Sequence, residues 1–184
     1  MLFADVRGST TMAERMSGEE FNRIMNRFYA TATDVLIRSD AMIDKLVGDE
    51  VIGLYLPLFS GRQHARRAVQ AARELLRACG HGDVGGPWIP VGIGVHTGVA
   101  YVGTVKGAQN TVTDFTALGD SVNITARLAS AAGVGEALVT DAAWAAAEVA
   151  LPDAEARLLQ LKGKQEAVSV RVLTTGLVDP AVDS

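Results

Sequence analysis

Two aspartates, Asp5 and Asp49, are the residues whose placement first suggests chemistry. Asp5 interrupts the otherwise apolar run Met1 to Val6, and Asp49 sits at the Gly48-Asp49-Glu50 hinge between two β-like runs. Carboxylates brought together repel, and Arg7 is the one nearby cation to offset Asp5. A divalent ion resolves such a pair, and oxygen donors of this kind suit Mg²⁺ or Mn²⁺. After Asp5 the chain runs into Arg7-Gly8-Ser9-Thr10-Thr11. From Val6 to Thr10 it offers backbone N–H groups and hydroxyls that could cradle a polyphosphate near a helix N-terminus. A plainer reading stands beside this one, in which Asp5 caps a turn and Asp49 is a hairpin residue. Farther on, Asn123 and Arg127 lie four apart in a segment that Asp120 can cap as a helix, so both leave one face. A guanidinium there presents a planar fork to charge developing on a phosphoryl oxygen, although an arginine on an Ala-rich helix is also ordinary surface. The chain has only four lysines, at 45, 106, 162 and 164, so Lys45 and Lys162 stand out, whereas Lys164 fits generic surface. His96, alone at a strand end, reads as a packed structural residue.

The elements that must position these residues follow from periodicity. Met1 to Val6 fits a short buried strand and Arg7 to Thr11 a loop. Ser17 with Glu20 forms a capping box opening a helix whose apolar face is Phe21, Ile24, Met25, Phe28, Ala32, Val35 and Leu36. Ala41 to Val47 and Val51 to Leu56 form a hairpin. A second amphipathic helix after Ser60 buries Ala65, Ala68, Val69, Ala72, Leu75, Leu76 and Cys79 and closes at Gly80. Ile89 to His96 is a strand in which Val91, Ile93 and Val95 alternate with small residues, Gly98 to Val105 reads as its partner, and Lys106 to Thr113 as a polar excursion. A helix from Asp120, strands near 137–140, 158–162 and 168–173, and an Ala-rich helix near Trp144 complete the chain. The order strand, helix, hairpin, helix, strand predicts an α+β fold with a ferredoxin-like βαββαβ palm core and C-terminal strand and helix additions. In that topology the third strand lies between the first two and antiparallel to the first, which brings Asp5 beside Asp49.

The 184 residues, 48% hydrophobic and 21% charged, suit one ordinary globular domain, expected over 1–176 with a disordered tail at 177–184. The single cysteine, Cys79, excludes an internal disulfide and argues against a cysteine zinc site. A net charge of −4 argues against nucleic acid as a partner. No apolar run approaches a membrane span and no signal peptide precedes the first strand, so a cytoplasmic chain without direct membrane insertion is expected. Because the chain starts inside a strand, sequence upstream of Met1, such as a regulatory segment, is expected in a longer protein.

Five strings in order, "LFADVRGST", "DKLVGDEV", "VGIGVHTG", "DFTALGDSVNITAR" and "LQLKGK", resemble the class III nucleotidyl cyclase catalytic domain over nearly the whole chain. The resemblance implies that Asp5 and Asp49, with the Val6 carbonyl, hold two metal ions, Mg²⁺ or Mn²⁺. It implies that Lys45 reads the purine edge with Thr116 as its partner, and that Asn123 and Arg127 orient the ribose and stabilise the transition state. Lys162 would contact the terminal phosphates, and Phe3, Gly8, Ser9 and Thr10 would complete the substrate contacts. Many members carry Asp where this chain has Thr116; Lys with Thr looks like an adenylyl cyclase subgroup, several of which respond to bicarbonate. The implied reaction is ATP to 3′,5′-cyclic AMP and pyrophosphate, in a homodimer that shares its sites between protomers. Guanylate cyclase, or a silent cyclase-like dimerisation or regulatory domain, remains the alternative. A diguanylate cyclase shares the Gly-Asp-Glu hairpin but not "GDSVNITAR" or "LKGK".

Overall fold

The computed structural model describes residues 1–106, 113–164 and 166–177. Strand β1 (Leu2–Val6) is followed by a short helix α1 (Ser9–Arg15) and the long α2 (Gly18–Arg38). Hairpin β2 (Met42–Val47) and β3 (Glu50–Leu54) leads through α3 (Pro57–Ser60) and a 3₁₀ turn to α4 (His64–Ala78) and β4 (Val91–Val95). Then come β5 (Tyr101–Lys106), β6 (Thr113–Leu118), α5 (Asp120–Ala131), β7 (Ala137–Thr140), α6 (Asp141–Ala147), β8 (Glu155–Leu159) and β9 (Val168–Leu173). Seven strands form one sheet in the order β2-β3-β1-β4-β7-β9-β8, antiparallel throughout except β4 with β7. The first four strands of that order, with α2 and α4, are the expected βαββαβ core, and the fold is α+β as the sequence predicts.

The two faces of the sheet are covered differently. Leu2, Ala4 and Val6 alternate onto the face packed by α2 and α4, where Phe28, Leu36, Leu75 and Leu76 are fully buried. Each such side chain contributes about 1.5–3 kcal/mol on removal from water. Phe3, Ile52 and Leu54 point to the other face, against Ala129 of α5 and Ala117 of β6. There α5 lies directly on β4, because a Cβ on Gly94 would fall 2.5 Å from the α5 backbone at Thr125 and Ala129. The Val91-Gly92-Ile93-Gly94-Val95 alternation thus fills one face and leaves room for helix backbone on the other.

Several expectations are corrected. The loop after Asp5 is short, and Ser9 already begins α1, a helix without buried residues and therefore without an apolar period to read. The capping box does open α2: Ser17 Oγ accepts from the Glu20 N–H at 3.2 Å, and Glu20 Oε2 from the Ser17 N–H at 3.0 Å. Tyr101–Lys106 does not pair with β4. It pairs with β6 in a separate two-stranded ribbon, and β4 instead has β1 and β7 as neighbours. The N-cap of α5 is Gly119, with Asp120 in the first turn. The strand expected over 158–162 is shifted to Glu155–Leu159. Of the tail expected at 177–184, Leu177 packs against the main core and its carbonyl accepts from Arg73, whereas 178–184, like residues 107–112 of the polar excursion, lie outside the described residues. No helix among the described residues is long and apolar enough to cross a membrane.

Candidate active site

Asp5 lies near the C-terminal end of β1 with its side chain on the α5 face, and its cross-strand neighbour is Glu50. The Val6 N–H donates to the Asp49 carbonyl at 3.0 Å, so the hairpin tip closes directly onto the end of β1. Ser9 Oγ bonds the Asp49 carboxylate, and the Tyr29 hydroxyl donates to the Gly48 carbonyl, tethering the tip to α2. Three carboxylates, Asp5, Asp49 and Glu50, thereby crowd one strand end. Burial, reinforced by Asp5 and Asp49, pushes Glu50 up to about 7. Burial also raises Asp5, against the pull of Arg7. Arg7 is indeed the fixed cation: Nη2 lies 3.0 Å from Asp5 Oδ1, and Nη1 donates to the Ser130 carbonyl at 3.0 Å at the end of α5. A cation at a helix C-terminus is favourably placed, so Arg7 ties the carboxylates to α5. Gly8 caps α1, Ser9 is half-buried and Thr10 exposed in its first turn. Phe3 is buried under α5, so it supports the strand and offers a ligand little surface.

The remaining predicted residues form a second group. Lys45 on β2 reaches across to β6, where Nζ bonds Asp114 Oδ2 at 2.6 Å, rather than Thr116. Thr116, two residues along the same strand face, donates from Oγ1 to Asp44 Oδ2 at 3.3 Å. Lys45 and Thr116 are thus neighbours, each held by its own acid. Asn123 is exposed and Arg127 half-buried, one turn apart on α5. The Arg127 guanidinium lies over Gly163, so α5 and the Leu161–Lys164 turn converge. Lys164 is spent on Asp120, whereas the side chains of Asn123, Arg127 and Lys162 make no hydrogen bond or ion pair among the described residues. Within the described residues, no hydrogen bond or ion pair joins Asp5 or Asp49 to Lys45, Thr116, Asn123, Arg127 or Lys162. One chain therefore displays an acidic group and a separate donor-rich group.

Sequence reasoning missed Asp44, Asp114 and Glu50. Glu50 was legible as the third acid of the hinge. Asp114 had the signal of alternation with Thr116, hidden because β6 was unrecognised. Asp44 had none, because strand periodicity directs consecutive residues to opposite faces.

The chain belongs to the adenylate and guanylate cyclase catalytic domain family, which it matches over residues 1–173. It is 34% identical over 135 residues to an adenylate cyclase of Anabaena cylindrica, covering 70% of this chain but only 26% of that protein. Among solved structures it is similar to the guanylyl cyclase Cya2, with a TM-score of 0.83 and 26% identity over 97% of this chain and 92% of that one. The adenylyl cyclase CyaB from P. aeruginosa shares the fold at a TM-score of 0.78 and 24% identity, over 94% and 91% of the two chains.

Proposed function

We propose that this domain is an adenylate cyclase, acting as a homodimer on ATP to give 3′,5′-cyclic AMP and pyrophosphate. The observation that carries the reading is the pair of complementary surfaces: crowded carboxylates at one strand end, and elsewhere on the chain Asn123, Arg127 and Lys162, whose side chains have no hydrogen-bond or ion-pair partner among the described residues. In a two-fold dimer the acidic group of one protomer faces the donor group of its partner, twice. The exposed apolar side chains Leu46, Val47, Val99, Tyr101, Phe115 and Leu118, on the β2–β3 hairpin and around the β5–β6 ribbon beside Lys45, support burial of this face in an assembly.

Asp5 and Asp49, with the Val6 carbonyl, would supply an all-oxygen donor set, supported by the crowding of Asp5, Asp49 and Glu50 at one strand end. These residues fit Mg²⁺ or Mn²⁺, which when bound would acidify the ribose 3′-hydroxyl and neutralise the triphosphate. Lys45 and Thr116 receive the adenine edge, Lys45 donating to N1 and Thr116 accepting from the 6-amino group. Asn123 orients the ribose, and Arg127 donates to the α-phosphoryl oxygens as charge gathers there. Lys162, with Gly8, Ser9 and Thr10, holds the β- and γ-phosphates. The 3′-oxygen forms its bond to the α-phosphorus as the bond to the bridging oxygen breaks; the hydroxyl proton passes to solvent and pyrophosphate leaves. No protein base is needed, and His96, pushed down to about 4 by burial and bonded to Thr140, takes no part. Because the chain spans 26% of the Anabaena relative, the natural setting is read as the cytoplasmic catalytic unit of a longer protein. The test is product formation by the purified chain with Mn²⁺ or Mg²⁺: cyclic AMP from ATP in excess over cyclic GMP from GTP supports the reading, and the reverse preference overturns it. Addition of bicarbonate in the same assay tests it as an effector.

A further inference from the structure

We propose that Asp44 sets the base preference by fixing the hydroxyl of Thr116 as a hydrogen-bond acceptor. This rests on the reading of Lys45 and Thr116 as the purine-contacting pair. The β2–β3 register runs Ile43 with Gly53 and then Lys45 with Ile52, so Asp44 is an extra residue, extruded in a β-bulge. A bulge re-aims a side chain that regular alternation would send to the opposite face. Here it lets two consecutive residues both reach β6, Asp44 to Thr116 and Lys45 to Asp114.

A threonine hydroxyl has one hydrogen and two lone pairs, and in water it serves as donor or acceptor at will. Thr116 is 7% exposed, and among the described residues its Oγ1 bonds acceptors alone: Asp44 Oδ2 at 3.3 Å and the Ala117 carbonyl at 3.5 Å. The Ala117 carbonyl lies at the limit of a hydrogen bond, so Asp44, the nearer and charged acceptor, is what holds the hydrogen and leaves lone pairs for a ligand. Asp44 Oδ1 is buried with no hydrogen-bond partner among the described residues, and the carboxylate is held against β6 by the Thr116 hydroxyl and the Ala117 backbone N–H. An obligate acceptor suits the adenine 6-amino group, which donates, and opposes the guanine 6-oxo group, which accepts. Thr116 alone does not discriminate. Thr116 held by Asp44 does, which makes Asp44 a positioning residue.

The experiment is a double-mutant cycle on the ratio of kcat/KM for ATP to that for GTP, with Asp44→Ala, Thr116→Val and the double variant, each checked for fold by circular dichroism. Asp44→Ser is run in parallel, because its hydroxyl can itself donate and so also releases Thr116 from one role. Either Asp44 variant should lower the ratio by roughly tenfold, the scale of one hydrogen bond. In the Thr116→Val background the Asp44 substitution should change the ratio less than about twofold, which a general structural role would not predict. If Thr116→Val lowers the ratio but neither Asp44 variant does, the proposal fails while the purine-contact reading stands. An equal effect of Asp44 with and without the Thr116 hydroxyl also overturns the proposal. A ratio unmoved by Thr116→Val overturns the purine-contact reading and the proposal with it.

Discussion

Lys45 bonds Asp114 at 2.6 Å, and that contact determines what a change of base preference must contain. A glutamate at position 45 with a cysteine at 116 would present acceptor and donor groups suited to guanine. Lys45→Glu, however, places a second carboxylate against Asp114, at a cost of about 1–4 kcal/mol for like charges near 4 Å. Lys45→Glu with Thr116→Cys should therefore lose ATP turnover and gain little with GTP. Adding Asp114→Asn should raise the GTP-to-ATP ratio of kcat/KM by roughly tenfold over the double variant. A double variant already as selective for GTP as the triple one would contradict this. Asp5 and Asp49 were legible at this scale because topology alone pairs the strand ends. The acids that hold Lys45 and Thr116 were not, because one depends on a bulge and the other on a ribbon strand, β6, that the sequence reading left without an element.

Among the elements, the turn after β8 has a specific task. Gly163 has φ +76, and a Cβ there would fall 3.3 Å from Arg127 Nη2. Gly163→Ala meets both a left-handed backbone, costing about 1 kcal/mol, and a displaced guanidinium. It should lower kcat by about tenfold with little change in KM, because Arg127 is engaged most strongly in the transition state. Gly18→Ala, which meets open space on α2, should leave kcat unchanged. Steady-state kinetics on both variants decides, and equal kcat for the two would remove Gly163 from the account. Elements with long apolar periods or side-chain caps, α2 and α4 foremost, were legible in sequence. The β5–β6 ribbon was not, because its exposed apolar residues, Tyr101 and Phe115 among them, mimic core alternation while the chain leaves the main sheet. That pattern led Gly98–Val105 to be assigned to β4, a place already filled by β1 and β7.

For the whole molecule, the half-buried His96 and the buried His81 weaken the fold in acid. His96 is held down to about 4 by burial, against an ordinary 6.5, and His81 is also lowered by burial while its Nε2 accepts from the Val91 N–H at 3.2 Å. Between the unfolded and folded pKa the unfolded chain binds more protons, so stability is fully present above about 6.5 and is lost as pH falls towards 4. Urea midpoints between pH 7 and 4 should drop less steeply in His96→Gln than in the parent domain; identical slopes would contradict it. The central claim, that unlike surfaces of two identical chains build each site, is tested most directly by mixing inactive variants. Asp5→Ala and Arg127→Ala should each abolish cyclic AMP formation, since each spoils both sites of its own homodimer. In a mixed dimer one site collects both defects and the other neither. Random equal mixing makes about half the dimers mixed, so activity should return to roughly a quarter of wild type at saturating dimer concentration. Asp5→Ala mixed with Asp49→Ala, defective on the same surface, should recover nothing. A first mixture that stays inactive despite confirmed subunit exchange would place each site within one chain and contradict the account.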